Sequence, residues 1–218
     1  YKGKDKLYVP LEHLQFIKKY SDSELTPKIN GLHDGIWTKI KNNAKKATVL
    51  IAEDIYFIQK LRNTQKGFAF NEDSLWQIEL EKDFEHKETS DQKNTLSEIK
   101  KDMESLKPMD RLICGDVGFG KTEVLLRAAF KAVENDKQVA ILVPTTVLAE
   151  QHYKTFRKRL SKFPIKIEVL SRFKTKKDSD KIIKDLKDHK VEIVIGTHKL
   201  IQKNIDFKDL GLLIIDEE

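Results

Sequence analysis

The 218-residue sequence predicts an α/β fold: a parallel sheet with helices on both faces, preceded by a mainly helical segment with one long helix. Three observations predict it. From Arg111 to Ile215, apolar runs of strand length alternate with helical patterns, the signature of a parallel sheet. Between the first such run and the next helix stands Gly115-x-x-x-x-Gly120-Lys121-Thr122, the phosphate-binding loop pattern. A later run, Leu212 to Ile215, ends in Asp216-Glu217-Glu218 and delivers acids to the sheet rim where ligands bind.

Composition bounds the rest. With 39% hydrophobic and 35% charged residues, the chain can bury a core and is not a disordered segment. No apolar run is long enough to span a bilayer, and the polar start Tyr1-Lys2-Gly3-Lys4 is no signal peptide. The single Cys114 excludes an intrachain disulfide and a multi-cysteine metal cluster. It reads as a small buried residue ending a strand, and such cysteine usage suits a reducing cytoplasm. A net charge of +6 fits a polyanionic partner or, equally, a lysine-rich solvated surface. The chain starts at Tyr1 and stops at Glu218 directly after an apolar strand, so both ends read as cut and the chain as part of a larger protein.

Taken in order, Lys6-Leu7-Tyr8-Val9-Pro10 reads as the end of a strand closed by proline. Leu11, Leu14, Ile17 and Tyr20 follow at helical spacing, and Ser21 to His33 reads as a loop. Ile36 to Leu61 carries Trp37, Ile40, Ala44, Ala47, Ile51, Ile55 and Ile58 on one face without glycine or proline. Such a helix spans about 35–40 Å; it is a strut between domains or a core helix with one buried face. Gly67-Phe68-Ala69-Phe70 is an apolar anchor, and Asp73 to Asp83 a short helix. A helix capped by Thr89 or Ser90 runs towards Leu106, and Arg111 to Cys114 reads as a buried strand. Beyond the phosphate loop, strands are expected at 138–143, 165–170, 191–195 and 212–215, with helices at 146–160 and 176–189.

The residue types point to chemistry. Gly115, Gly118 and Gly120 let successive N–H groups face an anion, and the helix opening at Lys121 adds the positive end of its dipole. Lys121 is placed to reach the β- and γ-phosphates and Thr122 to ligate Mg²⁺. Asp216 would hold Mg²⁺ through water, and Glu217 would orient or deprotonate the attacking water. Gln92 offers the donor and acceptor that an adenine edge requires, or else belongs to a helix cap. Thr145, Thr146 and Thr197 open helices after strands; they can bind nucleic-acid phosphates or act as N-caps. Arg172 beside Phe173 can track a DNA strand or simply form a basic loop.

These motifs together resemble the first motor domain of superfamily 2 helicases: Gln92, Gly115 to Glu123, Pro144-Thr145-Thr146, Gly196-Thr197-His198 and Asp216-Glu217-Glu218. Met109 to Leu112, Ser171-Arg172-Phe173 and Phe207 to Leu213 are similar, within that superfamily, to the bacterial transcription-repair coupling family. The resemblance implies a RecA-like motor fold and an ATP-dependent enzyme that translocates on double-stranded DNA. It further implies displacement of stalled RNA polymerase and recruitment of a nucleotide excision repair protein. It implies ATP and Mg²⁺ as cofactors, with Gln92, Gly115, Asp116, Gly118, Phe119, Gly120, Lys121, Thr122 and Glu123 around the nucleotide. Thr145, Thr146, Arg172 and Thr197 would touch DNA. Residues 1–20 would be the tail of a polymerase-interacting module, 21–83 a linker with a relay helix, and 84–218 the first motor domain. His86 and Ser90 stand where the family more often has an aromatic residue and a proline. Arginines of a second motor domain, absent from this sequence, would supply transition-state charge, so the chain is expected to bind nucleotide and hardly hydrolyse it. Two other readings are a fork-remodelling or junction-migrating helicase and a non-catalytic polymerase-binding adaptor.

Overall fold

β1, Gln138–Leu142, is the centre of the sheet. It pairs in parallel with β3, Ile193–Gly196, on one side and with β4, Leu210–Ile215, on the other. β2, Ile167–Leu170, adds to the far side of β3, giving the order β2-β3-β1-β4. The computed structural model describes residues 6–18, 35–116, 118–202 and 204–216. They fall into two units, 1–61 and 62–218.

In the first unit, a 3-10 turn spans Leu11–Phe16 where a short helix is expected. Lys6 to Pro10 forms no strand; an extended run becomes a strand only through a ladder partner, and none stands beside it among the described residues. Tyr20 and the expected loop Ser21 to His33 lie outside the described residues. α1 runs from Ile36 to Thr64, past the expected end at Leu61, and none of its 29 residues is buried. Its apolar face stays open, with Trp37 61% and Ile51 59% exposed.

The second unit builds the sheet and its covers. α2 (Leu75–Lys82) and α3 (Ser90–Met103) precede α4 (Lys121–Glu134). α5 (Thr146–Arg159) connects β1 to β2, and α6 (Lys176–Lys187) connects β2 to β3. One face of the sheet, with Val139, Ile141, Val169, Ile195 and Ile214, packs on α3, α4 and α5 through residues such as Ile99, Phe130 and Phe156. The other face, with Ala140, Leu142, Leu170 and Val194, packs beneath Ile182 and Leu186 of α6. Burial on both faces explains the unbroken apolar runs of β1 and β3. β4 departs from that expectation: it is an edge strand, and Leu213 and Ile215 are each 51% exposed.

The run Arg111 to Cys114, expected as a buried strand, takes no regular structure. Leu112 is 87% exposed and Cys114 is exposed rather than buried. No ladder bonds hold this segment among the described residues, so apolar sequence alone does not make it a strand.

Polar groups fix the strand ends. The buried Gln138 side chain donates to the Leu186 and Val191 carbonyls at 2.9 Å each. Its oxygen accepts from the Lys208 and Asp209 N–H groups at 2.9 and 3.1 Å. A buried amide satisfied four times ties the ends of α6, β3 and β4 to β1. A second cluster ties the segment before the sheet to its helices. Lys131, 2% exposed, bonds Asn71 O, Asp73 and Glu104 at 2.7, 3.0 and 2.7 Å, and Lys100 pairs with Asp73 and Glu81. Phe70 donates its N–H to Met103 O and lies edge-on to Phe68, so the expected apolar anchor docks on the end of α3.

This cluster makes stability acid-sensitive. Burial works against the Asp73 carboxylate, but hydrogen bonds and charge from Lys100 and Lys131 outweigh it and hold its pKa below the ordinary value. A carboxylate with a lowered folded pKa stabilises the fold above its unfolded value and loses that contribution as pH falls through the folded one. In urea unfolding, Asp73→Asn should be less stable than wild type at neutral pH and approach it below about pH 4. Parallel pH profiles would show that Asp73 is not held in this way.

Candidate nucleotide-binding site

The loop before α4 is shaped by two glycines in the left-handed region, Gly118 at φ 86° and Gly120 at φ 73°. Gly120 is the N-cap of α4 and supplies no side-chain cap. α2, α3, α5 and α6 all start differently, with Ser74, Thr89, Thr145 and Thr175 accepting from N–H groups of their first turns. The α4 start thus keeps its N–H groups clear of side-chain caps, as an anion site requires. Val117, inside the loop, lies outside the described residues.

Lys121 turns back on this loop. Its ammonium donates to Gly115 O at 2.5 Å and Asp116 O at 3.2 Å. The cation therefore sits on the glycine loop, held by two of its carbonyls.

Gln92 takes the capping alternative. It forms a capping box with Thr89, whose N–H donates to Gln92 Oε1 at 2.9 Å. Gln92 Nε2 donates to Phe119 O at 2.8 Å. Both ends of the amide that would read adenine are engaged by the chain, fastening the start of α3 to the phosphate loop. A Cβ at Gly120 would stand 2.4 Å from Gln92 Nε2.

Glu123, expected beside the nucleotide, instead faces arginines. It accepts from Arg127 Nε at 2.9 Å and from Arg159 Nη2 at 2.6 Å. Arg127, 2% exposed, also pairs with Glu88. Burial disfavours its charge, but hydrogen bonds and charge from Glu88 and Glu123 outweigh that and raise its pKa. Both guanidinium groups lie over the Phe84 ring, at 5.3 and 5.6 Å. The network ties the segment ahead of α3 to α4 and α5. The Glu123–Arg127 spacing of four was visible as a helical pair; Arg159, 36 residues from Glu123, carried no local signal.

At the sheet rim, Asp216 follows β4 and donates its N–H to Leu142 O at 2.9 Å. Its Oδ2 stands 2.7 Å from Nε2 of the buried His152 on α5. Glu217 and Glu218 lie outside the described residues. No group of three or more His, Cys, Asp or Glu side chains that could hold a metal occurs among the described residues. An Asp216 carboxylate with the Thr122 hydroxyl would suit Mg²⁺, which keeps several waters and is bound through one or two carboxylates with ligand phosphates. It does not fit a metal that needs a protein cage.

Because Leu142 is level with Gly196 and Ile215, and Leu170 with Gly196, the four strands end together. Thr145, Arg172, Thr197 and Asp216 follow those ends and share one rim. Thr145 is exposed and caps α5, its hydroxyl oxygen accepting from Leu148 N–H at 3.2 Å; Thr146 is the first residue of that helix. Thr197 precedes a 3-10 turn, His198–Ile201, without a side-chain cap. Arg172 is exposed, with its guanidinium 5.4 Å from the Phe173 ring centroid. No helix among the described residues is long and apolar enough to cross a membrane.

Gly120→Ala tests the loop. A left-handed alanine costs about 1–2 kcal/mol, and the methyl group would also push Gln92 off Phe119. Denaturant unfolding should show a loss of at least that size, reduced when Gln92→Ala is present in the same chain. A neutral Gly120→Ala would mean the loop does not hold this conformation.

The DEAD/DEAH box helicase family matches residues 89–218, more than half the chain. Over its whole length the chain is 51% identical to the transcription-repair-coupling factor of Bacillus subtilis (strain 168) and 49% identical to that of Staphylococcus aureus (strain USA300). It spans 19% of the length of each. A solved structure of RecG bound to a three-way DNA junction is 41% identical, with a TM-score of 0.70 over 74% of this chain and 22% of that one. The matched span holds the phosphate loop, α4 and the strand leading to Asp216, so the chain belongs to the DEAD/DEAH box helicases.

Proposed function

We propose that the chain is part of an ATP-driven double-stranded DNA translocase that displaces stalled RNA polymerase and couples transcription to nucleotide excision repair. The observation that carries the ATP-binding step is the uncapped start of α4, with Lys121 folded onto its own loop. In this reading, Lys121 exchanges the Gly115 and Asp116 carbonyls for phosphate oxygens. The N–H groups of the loop and first turn bind the triphosphate, and Thr122 and Asp216 hold Mg²⁺. Bound Mg²⁺ neutralises charge on the phosphates and polarises the transferring group. Glu217 orients the attacking water. Gln92 reads adenine only after leaving Thr89 and Phe119, so nucleotide arrival would loosen the contact between α3 and the loop.

Thr145, Thr146, Arg172 and Thr197 would receive the phosphates of one DNA strand along the rim. Whole-chain identity near 50% to transcription-repair-coupling factors supports residues 1–20 as part of a polymerase-interacting surface and α1 as a relay to the motor. A second reading, a junction-remodelling helicase, draws on the RecG likeness. Capture of RNA polymerase by the protein containing this chain favours the first, and unwinding of branched DNA without such capture favours the second.

Calorimetry with Mg²⁺ and an adenine nucleotide tests the site. Wild type should bind, and Lys121→Ala should weaken binding about 10–100-fold, the loss of a charged hydrogen bond. A well-folded wild type that takes up no nucleotide would overturn the reading. For DNA, Arg172→Ala should lower the log–log salt slope of binding by about 0.9 for the one phosphate released. An unchanged slope would remove Arg172 from the DNA surface.

A further inference from the structure

His152 is 6% exposed on α5, yet its polar edge is not spent on its own helix. Its Nε2 stands 2.7 Å from Asp216 Oδ2, 64 residues away. A carboxylate oxygen facing Nε2 is an acceptor, so Nε2 is assigned as the donor in this contact. The ring also lies edge-on to Phe156, at a centroid distance of 6.3 Å. An apolar ring would fill that volume without the cost of burying an imidazole. What the imidazole adds is a directed N–H at the end of β4.

Asp216 is then held twice. Its backbone N–H is bonded to Leu142 O, and Oδ2 is bonded to His152. Oδ1 carries no hydrogen bond among the described residues and is the oxygen left to meet a metal-bound water. We propose that His152 is a positioning residue for Mg²⁺: by holding Oδ2 it would keep the Asp216 carboxylate in place with Oδ1 available to a metal-bound water. The inference rests on the reading of Asp216 as the Mg²⁺ carboxylate. Partners of this kind orient a metal-binding group without touching the metal, and their removal costs about 10–100-fold in metal affinity.

The test is calorimetric titration of the chain with a non-hydrolysable ATP analogue, in EDTA and at rising Mg²⁺. His152→Leu keeps an apolar side chain in place, whereas His152→Gln restores an N–H at similar reach. In EDTA, the variants and wild type should bind the analogue alike. His152→Leu should need about 10–100-fold more Mg²⁺ to reach the wild-type gain in affinity, with His152→Gln close to wild type. If His152→Leu does not fold, His152→Asn, with its N–H on a shorter arm, takes its place and should show the same deficit. A Mg²⁺ dependence equal to wild type, or equal losses with and without Mg²⁺, overturns the positioning role while the nucleotide site stands. A wild type that binds in neither condition overturns the site and this role with it.

Discussion

The central constraint is the in-register pairing of β1 with both neighbours. Val139 to Leu142 lie level with Ile193 to Gly196 on one side and with Leu212 to Ile215 on the other. Parallel strands in register end on one edge, and every following loop starts there. The rim therefore exists because of backbone hydrogen bonds, not because of any charged residue on it. Gln138 secures the opposite end: its four bonds lock the ladder against slippage at the point where α6 ends and β4 begins. A slip of one residue would turn Ile141 and Val139 away from α4 and α5.

Charge is used inside this unit for attachment more than for raw stability. Buried ion pairs gain little net energy over apolar packing, but removing one partner leaves an unpaired charge. Arg127 with Glu88 and Glu123, and Lys131 with Asp73 and Glu104, each join α4 to the chain ahead of it. They define where that chain attaches, a specificity that the apolar core, with residues such as Phe130 and Leu126, does not carry. The Phe84 ring, in contact with two guanidinium groups, extends the same attachment toward α3.

The phosphate loop is held in a self-satisfied state. Lys121 bonds its own loop, and Gln92 bonds both Thr89 and Phe119. In the proposed reading each contact uses a group that a nucleotide would also claim, so binding would exchange internal hydrogen bonds for external ones, with a modest net gain for each. α5 spans two parts of the rim. It starts at the candidate DNA contacts Thr145 and Thr146 and, less than two turns later, carries the imidazole that meets Asp216.

The sequence by itself determined the strand–helix alternation beyond the phosphate loop, the glycine loop and the acid at the end of β4, and it offered Thr89 and Thr145 as candidate caps. All of these rest on local signals: periodicity, left-handed glycines and hydroxyls that bond the next turn. Tertiary structure decided what local signals do not encode. The run Arg111 to Cys114 is apolar enough for a strand but has no ladder partner among the described residues. Glu123 sits in the loop motif, yet it turns to an arginine on α5. Gln92 was readable both as a cap and as an adenine contact, and only the position of Phe119 O showed where its amide goes. His152 gave no sign of its contact with Asp216, because parallel pairing and helix packing bring together residues that the chain keeps 64 positions apart.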